Sequence, residues 1–178
     1  MIDDDVLIFN GDVFVAPEVV AAIVAADGDA LLYDSSSGDE DEQMKVHVAG
    51  GLLVEMAKDL SAGCTCGENV GILRLSASTA DLTFEAAAQL VAVEGGEQLF
   101  LAAAVNRAAA YHPIHCLDVA GLPWIEIDFR EDLDRARSEV YPALAGSTWR
   151  NEELVRVREA ELIAEASANA TALDSSAR

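Results

Sequence analysis

Hydrophobic positions along the chain fall into short runs with two different spacings. VLIF (Val6–Phe9) is a continuous apolar run that stops on Asn10-Gly11-Asp12, the form of a buried strand ending at a turn. Residues 17–26, PEVVAAIVAA, carry a proline in the first turn and apolar residues at helical spacing, which predicts a helix ended by Asp27-Gly28-Asp29. ALLY at 30–33 reads as a short buried strand. The opening segment is thus a strand, helix, strand unit, for which parallel pairing and a right-handed crossover are expected.

Beyond a polar loop at 35–43, SSSGDEDEQ, the runs MKVHV and LLVEM flank Gly50-Gly51 and predict a hairpin with one wet face. ENVGILRLS at 68–76 predicts another strand, with Ser76 or Ser78 capping a helix that runs to about Val93. A further helix is expected from about Glu97 to Ala110. VAGLPWIEID at 119–128 holds a strand that again ends on a carboxylate, and FREDLDRARSEVY reads as an amphipathic helix behind it. These elements predict an α/β fold over residues 1–145, a Rossmann-like three-layer α/β/α arrangement with a mixed, mainly parallel sheet. From Gly146 the character changes: residues 146–178 are expected to form a charged amphipathic helix, WRNEELVRVREAELIAEA, followed by a frayed tail.

Charge narrows the partners. The formal net charge is -21, which repels nucleic acid backbones and anionic membrane surfaces alike, so neither is expected as a partner. Lys45 and Lys58 are the lysines of a chain rich in Asp, Glu and Ala, the balance of a protein adapted to high intracellular salt. The acidity therefore speaks of habitat more than of substrate. No apolar run reaches the length of a membrane span, and Asp3, Asp4 and Asp5 stand where a secretory signal carries positive charge, which places the chain in the cytoplasm. Three cysteines argue against a disulfide framework.

Two strands end in carboxylates, Asp12 after VLIFNG and Asp128 after WIEI. In an open α/β sheet the ligand crevice lies beyond the C-terminal strand ends, so both can face one cleft and share a magnesium ion. An aspartate before a helix is equally a cap, and for Asp128 that alternative stays open. Cys64-Thr65-Cys66 and the His112, His115, Cys116 cluster offer soft ligands, but C-x-C lacks zinc spacing, and unliganded cysteines are expected.

IFNGDV, EQMKVHVAGGLLVEMAKDL, GENVGILRLS and WIEIDFREDLDRA, in this order and at these separations, resemble the C-terminal portion of nucleotidyltransferases that activate sugar phosphates, phosphocholine or inositol phosphate. The cytidylyltransferase branch is the nearest in flavour. The family's Gly-rich nucleotide-binding loop does not appear in the sequence, so the isolated chain is expected to be incomplete, or a non-catalytic remnant that keeps the fold.

The resemblance implies an NTP, with CTP expected, and a phosphorylated small-molecule acceptor as partners, and magnesium as cofactor. It places Asp12 and Asp128 on the metal, Gly11 at the cofactor site, and Lys45 toward the reacting phosphates. Glu68 and Asn69 match the segment that contacts the acceptor's head group. Trp124 is a candidate aromatic wall for a quaternary ammonium, or simply core. An apolar opening strand left uncovered predicts self-association into a homo-oligomer.

Overall fold

The computed structural model describes residues 2–37, 43–93 and 101–145. The helix and tail expected at 146–178 lie outside the described residues, as does the middle of the 35–43 loop.

Among the described residues, eight strands and five helices alternate irregularly. The strands are β1 (Val6–Phe9), β2 (Val13–Val15), β3 (Ala30–Asp34), β4 (Lys45–Ala49), β5 (Leu52–Ala57), β6 (Gly67–Leu75), β7 (His115–Asp118) and β8 (Trp124–Glu126). The helices are α1 (Pro17–Val24), α2 (Ala77–Val91), α3 (Leu101–Ala109), α4 (Arg130–Arg135) and α5 (Tyr141–Ala145), the last two joined by a wide helical turn. Proline opens α1 as its fixed φ favours, and Ser76 stands at the N-cap position of α2. There the Ser76 hydroxyl reaches Thr79 Oγ1 at 3.1 Å, while Asp29 accepts from the Thr79 hydroxyl and the Ser76 N–H and fixes the start of the helix.

The Gly50-Gly51 hairpin forms as its sequence requires. Both glycines have positive φ, 61° and 79°, the primed-turn geometry that matches strand twist, and Ala49 pairs with Leu52 across it.

The expected mainly parallel sheet is not what forms. Among the described strands only β3 and β7 pair in parallel; β1–β6, β3–β6, β4–β5, β4–β6, β5–β7 and β2–β8 are antiparallel. The strand order is β1-β6-β3-β7-β5-β4, and β4 returns to pair with β6. Five strands, β6, β3, β7, β5 and β4, thus close a ring, with β1 attached outside it. The α/β class holds; the plain Rossmann-like sheet does not. The opening unit shows why. β1 and β3 do run in the same direction, but each is antiparallel to β6, which lies between them. A strand from later in the chain takes the position that local connectivity assigns to a neighbour.

Apolar alternation splits the core between two faces. Ala30, Leu32, Val70 and Ile72 pack with Val19 and Ile23 of α1, whereas Leu31, Leu73 and Leu75 pack with Val105 of α3 and Met56 of β5. Asn106 ties α3 to β5 by donating to the Met56 carbonyl and accepting from its N–H, both at 2.9 Å, so a side chain completes the backbone pairing of that strand. Among the described residues no helix is long and apolar enough to cross a membrane.

Candidate functional site

The small β2–β8 ladder positions the carboxylates. Val13 pairs with Glu126, and the Asp12 carbonyl accepts from the Ile127 N–H at 2.9 Å, so the two strand ends carrying Asp12 and Asp128 are fastened side by side. Asp128 is not the helix cap: the N-cap position of α4 falls on Phe129, whose N–H is accepted by Asp132 Oδ2 at 2.9 Å.

Carboxylate oxygens of Asp12, Glu126 and Asp128 all lie within 4.8 Å of one another, a spacing that one cation can bridge. Glu126 is the member that the sequence reading missed. Its carboxyl is held above the ordinary glutamate range by burial, against a hydrogen bond from Asn10, with the negative charges of Asp128 and Asp12 adding to the rise and Lys58 opposing it. Asn10 Nδ2 donates to Glu126 Oε1 at 3.3 Å. Three hard oxygen donors gathered at one point are the donor set that suits a magnesium-sized ion.

The trio stands where two cavities meet. One, of about 270 Å³, contains Asp12, Asn10, Lys58 and Asn69 beside Glu126 and Asp128. The other, of about 450 Å³, is lined by Asp34, Glu68, Trp124 and Arg135 and shares Glu126 and Asp128 with the first. The structure therefore brings Asp12, Asp128 and Asn69 together and sets Glu68 and Trp124 in the adjoining cleft.

Lys45 lines neither cavity. It opens β4 opposite Glu68 of β6, with only 7% and 9% of the two side chains exposed. Lys58, just beyond β5, lines the carboxylate cavity instead. Trp124 is half-buried, and its indole N–H is committed to Asp34. Gly11 is exposed, with open space where a side chain would go and no positive φ, so nothing in its surroundings demands glycine. Cys64, Cys66 and Cys116 are free thiols.

No family model and no curated protein matches the sequence. Solved structures do. The inositol-1-phosphate CTP transferase from T. maritima superimposes with a TM-score of 0.57 at 16% identity, covering 82% of this chain and 56% of that one. A structure described as a glucose-1-phosphate thymidylyltransferase from Bacillus anthracis gives 0.59 at 13% identity, covering 83% and 57%. The chain has a nucleotidyltransferase fold. A nucleoside-diphosphate-sugar pyrophosphorylase from Vibrio cholerae RC9 gives 0.51 at 17% identity, covering 74% and 55%. The chain thus spans little more than half the length of these nucleotidyltransferases.

Proposed function

We propose that this chain carries the metal-binding and acceptor-binding portion of a nucleotidyltransferase, with magnesium held by Asp12, Glu126 and Asp128. The reaction supported is attack by a phosphate oxygen of the acceptor on the α-phosphate of a nucleoside triphosphate, CTP by the resemblance, with release of pyrophosphate. The observation that carries the reading is the convergence of the three carboxylates at the junction of two cavities. Two substrates, one in each cavity, would meet there.

When bound, the ion would neutralise charge on the phosphate oxygens. This chain's own groups do the positioning. Asn10 orients the Glu126 carboxylate, and the β2–β8 ladder holds Asp12 against the strand that bears Asp128. Lys58 supplies a flexible positive charge inside the cavity, suited to drawing in the acceptor phosphate. Asn69 lines the same cavity as Lys58, and Glu68 lines the adjoining one. Positioning and charge neutralisation are what nucleotidyl transfer chiefly demands of a protein.

Titration of the chain with Mn²⁺, followed by electron paramagnetic resonance, tests the site directly. Asp12→Asn and Asp128→Asn should each weaken binding by about tenfold or more while leaving the fold intact. Because both serve one ion, the double variant should lose much less than the two single losses added. Fully additive losses, or unaltered binding in both single variants, would overturn the shared site. Pyrophosphate release in the presence of CTP and phosphorylated small alcohols tests the reaction itself.

A further inference from the structure

The carboxylate cavity has two unlike ends. At one lie Asp12, Glu126, Asp128 and Lys58; apart from Asn10 and Asn69 the rest of its wall is apolar, built from residues such as Met44, Met56, Leu73, Leu101 and Val105. Asn69 stands in this cavity with its Oδ1 buried and without a hydrogen-bond partner. Its backbone is already spoken for, because the Asn69 N–H donates to the Met44 carbonyl at 2.8 Å. Buried polar atoms are normally paired, so an unpartnered carbonyl oxygen inside a cavity marks a place for a donor brought by a ligand.

We propose that this cavity is the acceptor subsite, and that it selects a short alkyl phosphate carrying one hydrogen-bond donor on its hydrocarbon arm over a polyhydroxylated sugar phosphate. The inference rests on the nucleotidyl-transfer reading of the carboxylates. The phosphate belongs at the Lys58 end, where the positive charge and the ion-binding trio lie. The arm then runs along the methionine and leucine side chains, and its donor reaches Asn69 Oδ1. Among the described residues, the neutral polar side chains of the cavity are Asn10 and Asn69, and the amide of Asn10 is engaged by Glu126. A sugar phosphate would therefore bring several hydroxyls against thioether and leucine surfaces that cannot pair with them, and each unpaired hydroxyl weakens binding. A quaternary ammonium has methyl groups in place of N–H and would leave Asn69 unsatisfied. At about 270 Å³ the cavity also suits a small molecule.

The test is calorimetric titration of the full chain at saturating Mg²⁺ with three probes: 2-hydroxyethyl phosphate, ethyl phosphate and glucose 1-phosphate. The first two differ by one neutral donor, so the strongly acidic surface favours neither. We expect 2-hydroxyethyl phosphate to bind about tenfold more tightly than ethyl phosphate or glucose 1-phosphate, the scale of one buried hydrogen bond. In Asn69→Leu the two alkyl phosphates should bind equally. Equal or tighter binding of glucose 1-phosphate, or an advantage that persists in Asn69→Leu, overturns the selectivity and leaves the nucleotidyl-transfer reading standing. If no phosphate binds while Mn²⁺ still does, the acceptor subsite and that reading both fall.

Discussion

The indole N–H of Trp124 donates to Oδ2 of Asp34 at 2.8 Å, joining β8 to the end of β3. The other Asp34 oxygen accepts from the Ser36 N–H and hydroxyl at 2.8 and 2.6 Å, so a carboxylate with 7% of its surface exposed has both oxygens paired. Trp124→Phe keeps an aromatic ring but removes the N–H donor and part of the indole's volume. Unfolding in urea should show a loss of about 1–3 kcal/mol, the cost of leaving a buried acceptor unpaired. A loss below about 0.5 kcal/mol, within the range of neutral surface changes, would mean that the bond contributes nothing.

Lys45 and Lys58 should fail in different ways. Lys45 stands opposite Glu68 in the β4–β6 register and both residues are buried, so Lys45→Met, which puts an apolar side chain opposite a buried carboxylate, should lower stability by about 3 kcal/mol. Lys58→Met should leave the melting temperature nearly unchanged and weaken alkyl phosphate binding. A thermal melt beside a phosphate titration separates the two, and the opposite pattern would restore Lys45 as the phosphate-facing lysine.

Much of this site was legible where local chemistry has one outcome. Gly50-Gly51 can hardly be other than a hairpin turn, and a strand that stops on Asn10-Gly11-Asp12 presents its aspartate whatever the sheet does. What escaped depended on pairing between distant segments. Glu126 is two residues from Asp128, and alternation along WIEID would have placed the two on one side, but a glutamate inside a strand reads as its solvent face. β2 is three residues squeezed between Asp12 and Pro17, and β7 carries its imidazole and thiol where apolar residues mark a strand. Lys45 and Lys58 flank one hairpin, and only the ring closure, which turns β4 onto β6, decides which of them meets the cavity. Strand direction was lost for the same reason.

Gly71 couples the central strand to the carboxylate trio. Its φ is +76°, and a Cβ built there would fall 2.6 Å from the Asn10 side chain, whose amide holds Glu126. Here β6 bulges against β3, with Val70, Gly71 and Ile72 of one strand standing against Leu32 of the other between the Leu31–Leu73 and Tyr33–Asn69 pairs. Gly71→Ala should therefore cost about 1–2 kcal/mol for the left-handed backbone and weaken Mn²⁺ binding by displacing Asn10. Asn10→Ala should weaken the ion without the backbone penalty. Denaturant and Mn²⁺ titrations of both variants check the division.

Asp118 sets an acid limit. Burial raises its carboxyl, but hydrogen bonds from the Ser35 hydroxyl, the Ser35 N–H and the Ala120 N–H outweigh that and hold it below the ordinary 3.8. A depressed folded-state value means that the stabilisation is present above the unfolded value and lost as pH falls through the folded one. Thermal melts should show wild type losing stability relative to Asp118→Asn as pH drops below about 4. Parallel curves through that window would contradict the assignment.

The thiols should react in a fixed order. Cys64 is exposed, Cys66 is half-buried with its sulfur against the Val48 N–H at 3.4 Å, and burial, aided by the charge of Cys66, pushes Cys116 up to about 12. Alkylation at pH 8 followed by mass spectrometry should label Cys64 first and Cys116 last, because only the thiolate reacts. Early labelling of Cys116 would show that its strand opens readily.

Ring closure also bears on how the chain reaches this state. The β4–β5 hairpin closes over two residues, but the parallel β3–β7 ladder joins Ala30 to His115, and β7 then pairs with Leu52. Those bridges must overcome the entropy of long loops before they gain anything, which makes high contact order and slow refolding the expected behaviour. The β2–β8 ladder, joining Val13 to Glu126, spans a longer stretch of chain still. Asp12 and Asp128 therefore come within reach of one ion only through a very distant strand pairing. If the trio binds an ion as proposed, metal affinity is a late reporter of folding, absent from any intermediate in which only the local hairpin and helices have formed.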